Sequence, residues 1–333
     1  MGKVFGIDMG SSNTRIYVKG SGIKVREPSV VAVDNRLNKI TASGQAAKMM
    51  IGKTPDHITA CTPIMDGVVA DFDFAVGMLE QFYRAEAGPA FILSRPKVYL
   101  SVPHCATSTE RRSFIEVAAR AGAKSVMLVP ETLAAAIGMK LKIEEPLGRM
   151  VVNIGGGTTE ASVISFGGAV LTNSVRVGGS AFDKGIVNFM RRRFGITIGE
   201  VTAELLKKNI GNVFQGDANT TMEVHGSRNG VPVAVTVSSA DLREPLRMQA
   251  SHIVECIRSA FQKTPPELCS DIRESGIILT GGGACLKGID SLIEQKTGIR
   301  TVCAKRPLDS VVLGLGTIID SGDKFGIAER TDR

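Results

Sequence analysis

The chain has 333 residues, 43% hydrophobic and 22% charged, with 37 glycines, a composition that supports a sizeable core in about two domains and excludes a disordered, collagen-like or disulfide-stapled chain. Forty Lys and Arg against 33 Asp and Glu leave a formal charge of +7, which favours anionic partners such as lipid headgroups or nucleotides; with 5% aromatic residues and no Trp there is little on which to stack bases, so no nucleic-acid partner is expected. Six cysteines without a C-x-x-C pair (Cys61, Cys105, Cys256, Cys269, Cys285, Cys303) predict reduced, mostly buried thiols, and an opening that reaches Asp8 early, with no apolar run long enough to span a bilayer, predicts a cytoplasmic protein.

In chain order, residues 3–19 (KVFGIDMGSSNTRIYVK) read as a β-branched strand, a Gly-Ser turn and an alternating strand. Lys97–Val102 is a strand ended by Pro103, and Thr107 with Glu110 forms a capping box before a helix that turns Phe114, Val117, Ala118 and Ala121 inward. Ser125–Val129 is a strand and Glu131–Met139 an Ala-rich helix. Residues 149–165 (RMVVNIGGGTTEASVIS) repeat the opening hairpin, too far away for a solenoid repeat and suggestive of two related domains. A helix capped by Gly178-Gly179-Ser180, a strand pair near 221–237, a long helix over about 239–263, a buried strand at Gly276–Thr280, a Gly281-Gly282-Gly283 turn, a helix to Lys296 and a last helix after Pro307 complete an α/β chain.

Successive Gly, Ser and Thr at a hairpin turn point backbone N–H groups and hydroxyls at an anion, so each turn suits phosphate oxygens. Neither turn is a Walker or Rossmann loop. One glycine hairpin is ordinarily just a hairpin; two matched copies and a third glycine run argue for a nucleotide cleft.

Asp8-Met9-Gly10-Ser11-Ser12-Asn13-Thr14 resembles the phosphate-one motif of the actin superfamily, Ile154–Glu160 phosphate two, and Gly276–Gly283 the adenosine motif, in the superfamily's order. The flanking segments Glu27–Ala32, Met65–Phe72, Ile198–Glu204 and Lys263–Leu268 resemble the MreB family of bacterial cell-shape actins, nearly end to end. The resemblance implies two ribonuclease-H-like domains, residues 1–140 and 141–306, with the helix after about 307 returning to the first. ATP and Mg²⁺ would be held between them. Gly10, Ser12, Asn13 and Thr14 would hold one side of the phosphates and Gly155, Gly156, Gly157 and Thr158 the other; Glu204, Lys207, Gly282 and Gly283 would surround ribose and adenine. Asp8 would hold the metal through water, with Asn153 a weak second group. Glu131 and Thr158 would orient the attacking water for slow ATP hydrolysis.

Two departures bear on that expectation. Asn153 stands where the family opens phosphate two with Asp, which either weakens metal ordering and slows hydrolysis or leaves an outer-shell role intact. Pro130-Glu131-Thr132 replaces Glu-Glu-Pro and shifts the proline across the catalytic candidate. Phe91, Ile92 and Leu93, apolar residues between Pro89 and Pro96 with Arg95 and Lys97 beside them, resemble the family's membrane-inserting loop; a buried strand end is the other reading. The resemblance thus implies a membrane-associated filament on the inner face of the cell membrane, with paired protofilaments and wall-synthesis membrane proteins as partners. A non-hydrolysing scaffold and a small-molecule kinase of the same superfamily are the alternatives.

Overall fold

The computed structural model describes residues 3–87, 95–214 and 220–330. The strand Val4–Met9 turns back as Asn13–Val18 and again as Gly22–Pro28, and on its other edge runs parallel to Lys97–Val102, which pairs in parallel with Ser125–Pro130. Glu329–Arg330 closes that edge antiparallel to Ser125–Pro130, completing a six-stranded sheet. Parallel neighbours require crossovers; the helices Phe72–Ala87 and Ser108–Arg120 supply them. The second is fixed at its start by reciprocal bonds: Thr107 N–H donates to Glu110 Oε2 at 2.8 Å and Glu110 N–H to Thr107 Oγ1 at 3.3 Å. Phe114, Val117 and Ala118 of this helix are buried against the sheet, as their spacing predicts.

The second sheet repeats the plan. Arg149–Ile154, Thr159–Ser165 and Gly168–Val175 form an antiparallel meander, and Arg149–Ile154 pairs in parallel with Ile277–Thr280, which pairs with Thr301–Cys303. The helices Gly179–Phe194, Ser239–Lys263 and Ile289–Thr297 cover it, turning Phe182, Ile186, Leu246 and Ile257 into one core. The sequence reading of this half carries over with small shifts; the Gly281–Gly283 run leads into a short 3₁₀ turn at Gly282–Cys285 rather than forming the turn alone.

Between the sheets stand two helices in backbone contact, Glu131–Gly138 and the closing helix Ser310–Asp320. Their approach requires glycine: a Cβ on Gly138 would lie 1.9 Å from the Ser310 carbonyl oxygen. Val129, Leu133, Ile137, Val151, Val311, Leu315 and Ile318 bury a common core there. The thiols correct the sequence expectation. Only Cys256 is buried; Cys61 and Cys269 are half-buried, and Cys105, Cys285 and Cys303 are exposed, because they fall in turns or at a sheet edge rather than on core-facing positions.

Candidate functional site

The two glycine turns close alike: Gly10 N–H donates to the Asn13 carbonyl at 3.1 Å, and Gly155 N–H to the Thr158 carbonyl at 2.8 Å. They meet across a cavity of ≈ 470 Å³, within the range of small-molecule sites. A Cβ on Gly156 would stand 2.2 Å from Ser12 Oγ, and one on Gly157 2.8 Å from Ser11 Oγ; only glycine lets the second turn come this close to the first.

Gly10, Ser12, Asn13, Gly155, Gly156, Gly157 and Thr158 line the cavity, as do Glu204, Lys207, Gly282 and Gly283. Thr14 does not. Alternation along Asn13–Val18 turns Thr14 away from the cleft and buries it, with its Oγ1 2.9 Å from Ser29 Oγ, while Ser29 donates to the Gly10 carbonyl at 2.6 Å. It braces the turn from behind. Lys207 is committed to its own lobe, donating to the Gly179 carbonyl and pairing with Asp183, both at 2.8 Å. Glu204 bridges the cleft to Lys48 at 2.7 Å and pairs with Lys208 at 2.6 Å; burial raises its pKa, but these ammonium groups outweigh it and hold the carboxyl down to about 2.

Asp8, Glu131 and Asn153 form the polar floor. Asp8 accepts from Ser101 Oγ at 3.2 Å and stands 3.8 Å from the Arg15 guanidinium, yet burial still pushes its carboxyl upward. Glu131, at the first turn of its helix, accepts a 2.9 Å hydrogen bond from Asn153 Nδ2. Burial and the neighbouring Glu160 and Asp8 carboxyls push Glu131 well above the usual range, and the Asn153 bond opposes them. One residue further, Thr132 Oγ1 accepts from Ser162 Oγ at 2.8 Å. The helix start is thus tied to the second sheet. Asn153 and Glu160 are cross-strand partners; Glu160 is buried, accepts from Cys105 N–H at 3.3 Å, and is pushed up to about 6, chiefly by burial.

Among the described residues no cluster of three or more His, Cys, Asp or Glu could hold a metal. One cleft carboxylate beside glycine turns whose N–H groups suit anion oxygens fits Mg²⁺, which retains waters and takes one or two carboxylates together with phosphate oxygens. Asp8 is the group with that chemistry, and the nitrogen of the Asn153 amide is committed to Glu131. Phe91, Ile92 and Leu93 lie outside the described residues. Sequence reasoning missed Arg15 and Glu160 as neighbours of this floor. Period-two alternation offered a signal for Arg15, since it puts Asn13 and Arg15 on one face and Thr14 on the other.

The chain matches the sequence model of the MreB/Mbl protein family over residues 2–326. It is 45% identical over 326 residues to the cell shape-determining protein MreB of Escherichia coli (strain K12), covering 96% of this chain and 94% of that protein. It is 39% identical over 322 residues to the cell shape-determining protein Mbl of Bacillus subtilis (strain 168), covering 96% of each. The crystal structure of MreB5 of Spiroplasma citri bound to AMPPNP superposes with a TM-score of 0.92 at 33% identity, covering 97% of this chain and 98% of that one. Two sheets of matching plan, facing glycine turns and these end-to-end likenesses establish that the chain has the actin-like fold and belongs to the MreB/Mbl family.

Proposed function

We propose that this chain is a nucleotide-dependent, cell-shape-determining filament protein that binds ATP with Mg²⁺ between its two lobes and works on the inner face of the cell membrane. The observation that carries the reading is the pair of matched glycine turns, one from each sheet, facing each other across the cavity. That MreB5 of Spiroplasma citri is described bound to AMPPNP and to ADP supports a nucleotide as the occupant. The lobes correspond to residues 1–140 with the closing helix, and 141–306.

In this reading Gly10, Ser12 and Asn13 donate to the phosphates from one side and Gly155, Gly156, Gly157 and Thr158 from the other. Gly282 and Gly283 form the wall for ribose and base, with Glu204 and Lys207 nearby. Asp8 would hold Mg²⁺ through water, and the ion would supply neutralisation of phosphate charge. Glu131 and Thr158 orient the attacking water, and positioning of this kind accounts for most of phosphoryl-transfer catalysis. Turnover is slow because Asn153, where the family has Asp, removes one negative charge beside the metal position. Phe91, Ile92 and Leu93 dock on anionic membrane, weakly for one subunit and firmly for a filament that presents the loop repeatedly. Paired protofilaments and wall-synthesis membrane proteins complete the assembly.

Sedimentation and negative-stain microscopy test this directly. Filaments should form with ATP and Mg²⁺ above a threshold concentration and be absent without nucleotide. Titration calorimetry should give one nucleotide site per chain. No binding of ATP or GTP would refute the reading.

A further inference from the structure

The Arg15 guanidinium is a half-buried cation in the cavity wall, and its two carboxylate neighbours hold it only at long range. It projects from Asn13–Val18, directly opposite Asp8 in the hairpin register, and its side chain is 13% exposed. Its Nη1 reaches Asp8 Oδ2 only at 3.8 Å and its Nε reaches Asp309 Oδ1 only at 3.5 Å; Nε is buried without a hydrogen-bond partner. Those two carboxylates have other partners. Asp309 is held by Arg26 Nη2 at 3.2 Å and Arg306 Nη2 at 2.8 Å, and Asp8 accepts from Ser101. Partly withdrawing a guanidinium from water in this state costs free energy that a further acceptor at its remaining donors would recover.

The cavity beside it is lined by Gly10, Ser12 and Gly156, whose turns suit phosphate oxygens and carry no cation of their own. Lys207 and Lys208, the other cations on the wall, are tied to Asp183 and Glu204. A planar fork of donors with unmet hydrogen bonds matches a phosphoryl group, which accepts such forks in pairs. We propose that Arg15 is a phosphate-binding residue of this cleft, supplying the cationic donors that the two glycine turns lack. The assignment rests on the nucleotide reading above and adds a specificity to it: Arg15 recognises the polyphosphate, not the nucleoside.

The test is calorimetric titration of the full chain with ATP, ADP and adenosine, each in Mg²⁺ and in EDTA, for the wild type, Arg15→Met and Arg15→Lys. Met keeps most of the stem's volume without the charge; Lys keeps the charge without the fork. Arg15→Met should weaken ATP and ADP by roughly 10- to 100-fold, the scale of losing hydrogen bonds to a charged group, and leave adenosine unchanged. Arg15→Lys should fall between. The loss should persist in EDTA. Unchanged ATP affinity in Arg15→Met overturns the proposal, as does an equal loss for ATP and adenosine, which would make Arg15 a support of the fold. A loss confined to Mg²⁺ overturns it too, assigning Arg15 to the orientation of Asp8. Wild-type protein that binds neither ATP nor ADP overturns the nucleotide reading itself, whereas wild-type binding with an unaffected Arg15→Met overturns this proposal alone.

Discussion

Replacing Gly314 with Ala should destabilise the protein although alanine is the better helix former. A Cβ at this position of the closing helix would stand 1.7 Å from the Ala134 carbonyl oxygen and 2.5 Å from its carbon. Carbon and carbonyl oxygen approach to about 3.3 Å at closest, so the two helices must part by about 1.6 Å, and both obstructing atoms are backbone. Val311, Leu315 and Ile318 are buried in the seam, each contributing about 1.5 to 3 kcal/mol. A gap of even 0.5 to 1 Å forfeits roughly a quarter to a half of contact energy, so the seam loses roughly 1 to 4 kcal/mol. Better helix propensity returns about 1 kcal/mol, which leaves a net loss of roughly 0 to 3 kcal/mol, its upper part the range typical of overpacked cores. Equilibrium urea unfolding without nucleotide measures it. Gly185→Ala is the control: it is also helical, but its nearest foreign atoms lie at 3.5 Å, so it should gain about 0.5 to 1 kcal/mol. If Gly314→Ala proves as stable as Gly185→Ala, the backbone contact between the two helices is wrong.

Glu131→Gln should lower phosphate release by about 10²-fold or more with ATP affinity retained; wild-type release would remove Glu131 from the water-orienting role. Glu160 has a folded-state pKa of about 6 against an ordinary 4.5, so between those values the folded chain keeps a proton that the unfolded chain has released, and stability falls as pH rises through that window. Glu160→Gln should flatten the slope between pH 4.5 and 6 and raise stability at pH 7 by on the order of 2 kcal/mol; melting curves across that range decide, and an unaltered slope counts against the assignment. A joint change of Phe91, Ile92 and Leu93 to Ser should abolish co-sedimentation with anionic liposomes while leaving ATP binding intact. Pelleting like wild type would move membrane attachment to the basic surface.

The elements named from the sequence and the three glycine runs were legible because each depends on local chemistry, namely β-branched runs, a capping box at Thr107 and Glu110, and glycine where backbones converge; the strands and helices between residues 22 and 87 and the helix Glu200–Ile210 were not read from it. The site's wiring was not. Thr14 and Arg15 are adjacent in a motif that resembles a phosphate turn, yet alternation sends Thr14 to Ser29 and Arg15 to the cleft. Asn153 reads as a weak metal-side group, and its amide nitrogen also donates to Glu131 from a strand on the other sheet; a contact between residues 22 apart that cross from one lobe to the other has no local signature. Lys207 reads as a nucleotide contact and spends its ammonium on Asp183 and Gly179. The cysteines failed for a related reason. Burial follows the face a residue occupies, and residue type alone does not supply the face.

The closing helix has a consequence for how the chain is made. Tyr17 donates to Asp320, Arg26 pairs with Asp309, and Glu329–Arg330 adds the outer strand to the sheet that begins at Val4, where Arg111 also pairs with Glu329. The second sheet needs nothing beyond Thr301–Cys303. During synthesis the later lobe can therefore close while the earlier one still waits for its last helix and edge strand. The strand Val4–Met9, made before the later lobe, is sealed after it, and until then the apolar faces of Val129, Leu133 and Ile137 stay open to chaperones or to a neighbouring nascent chain.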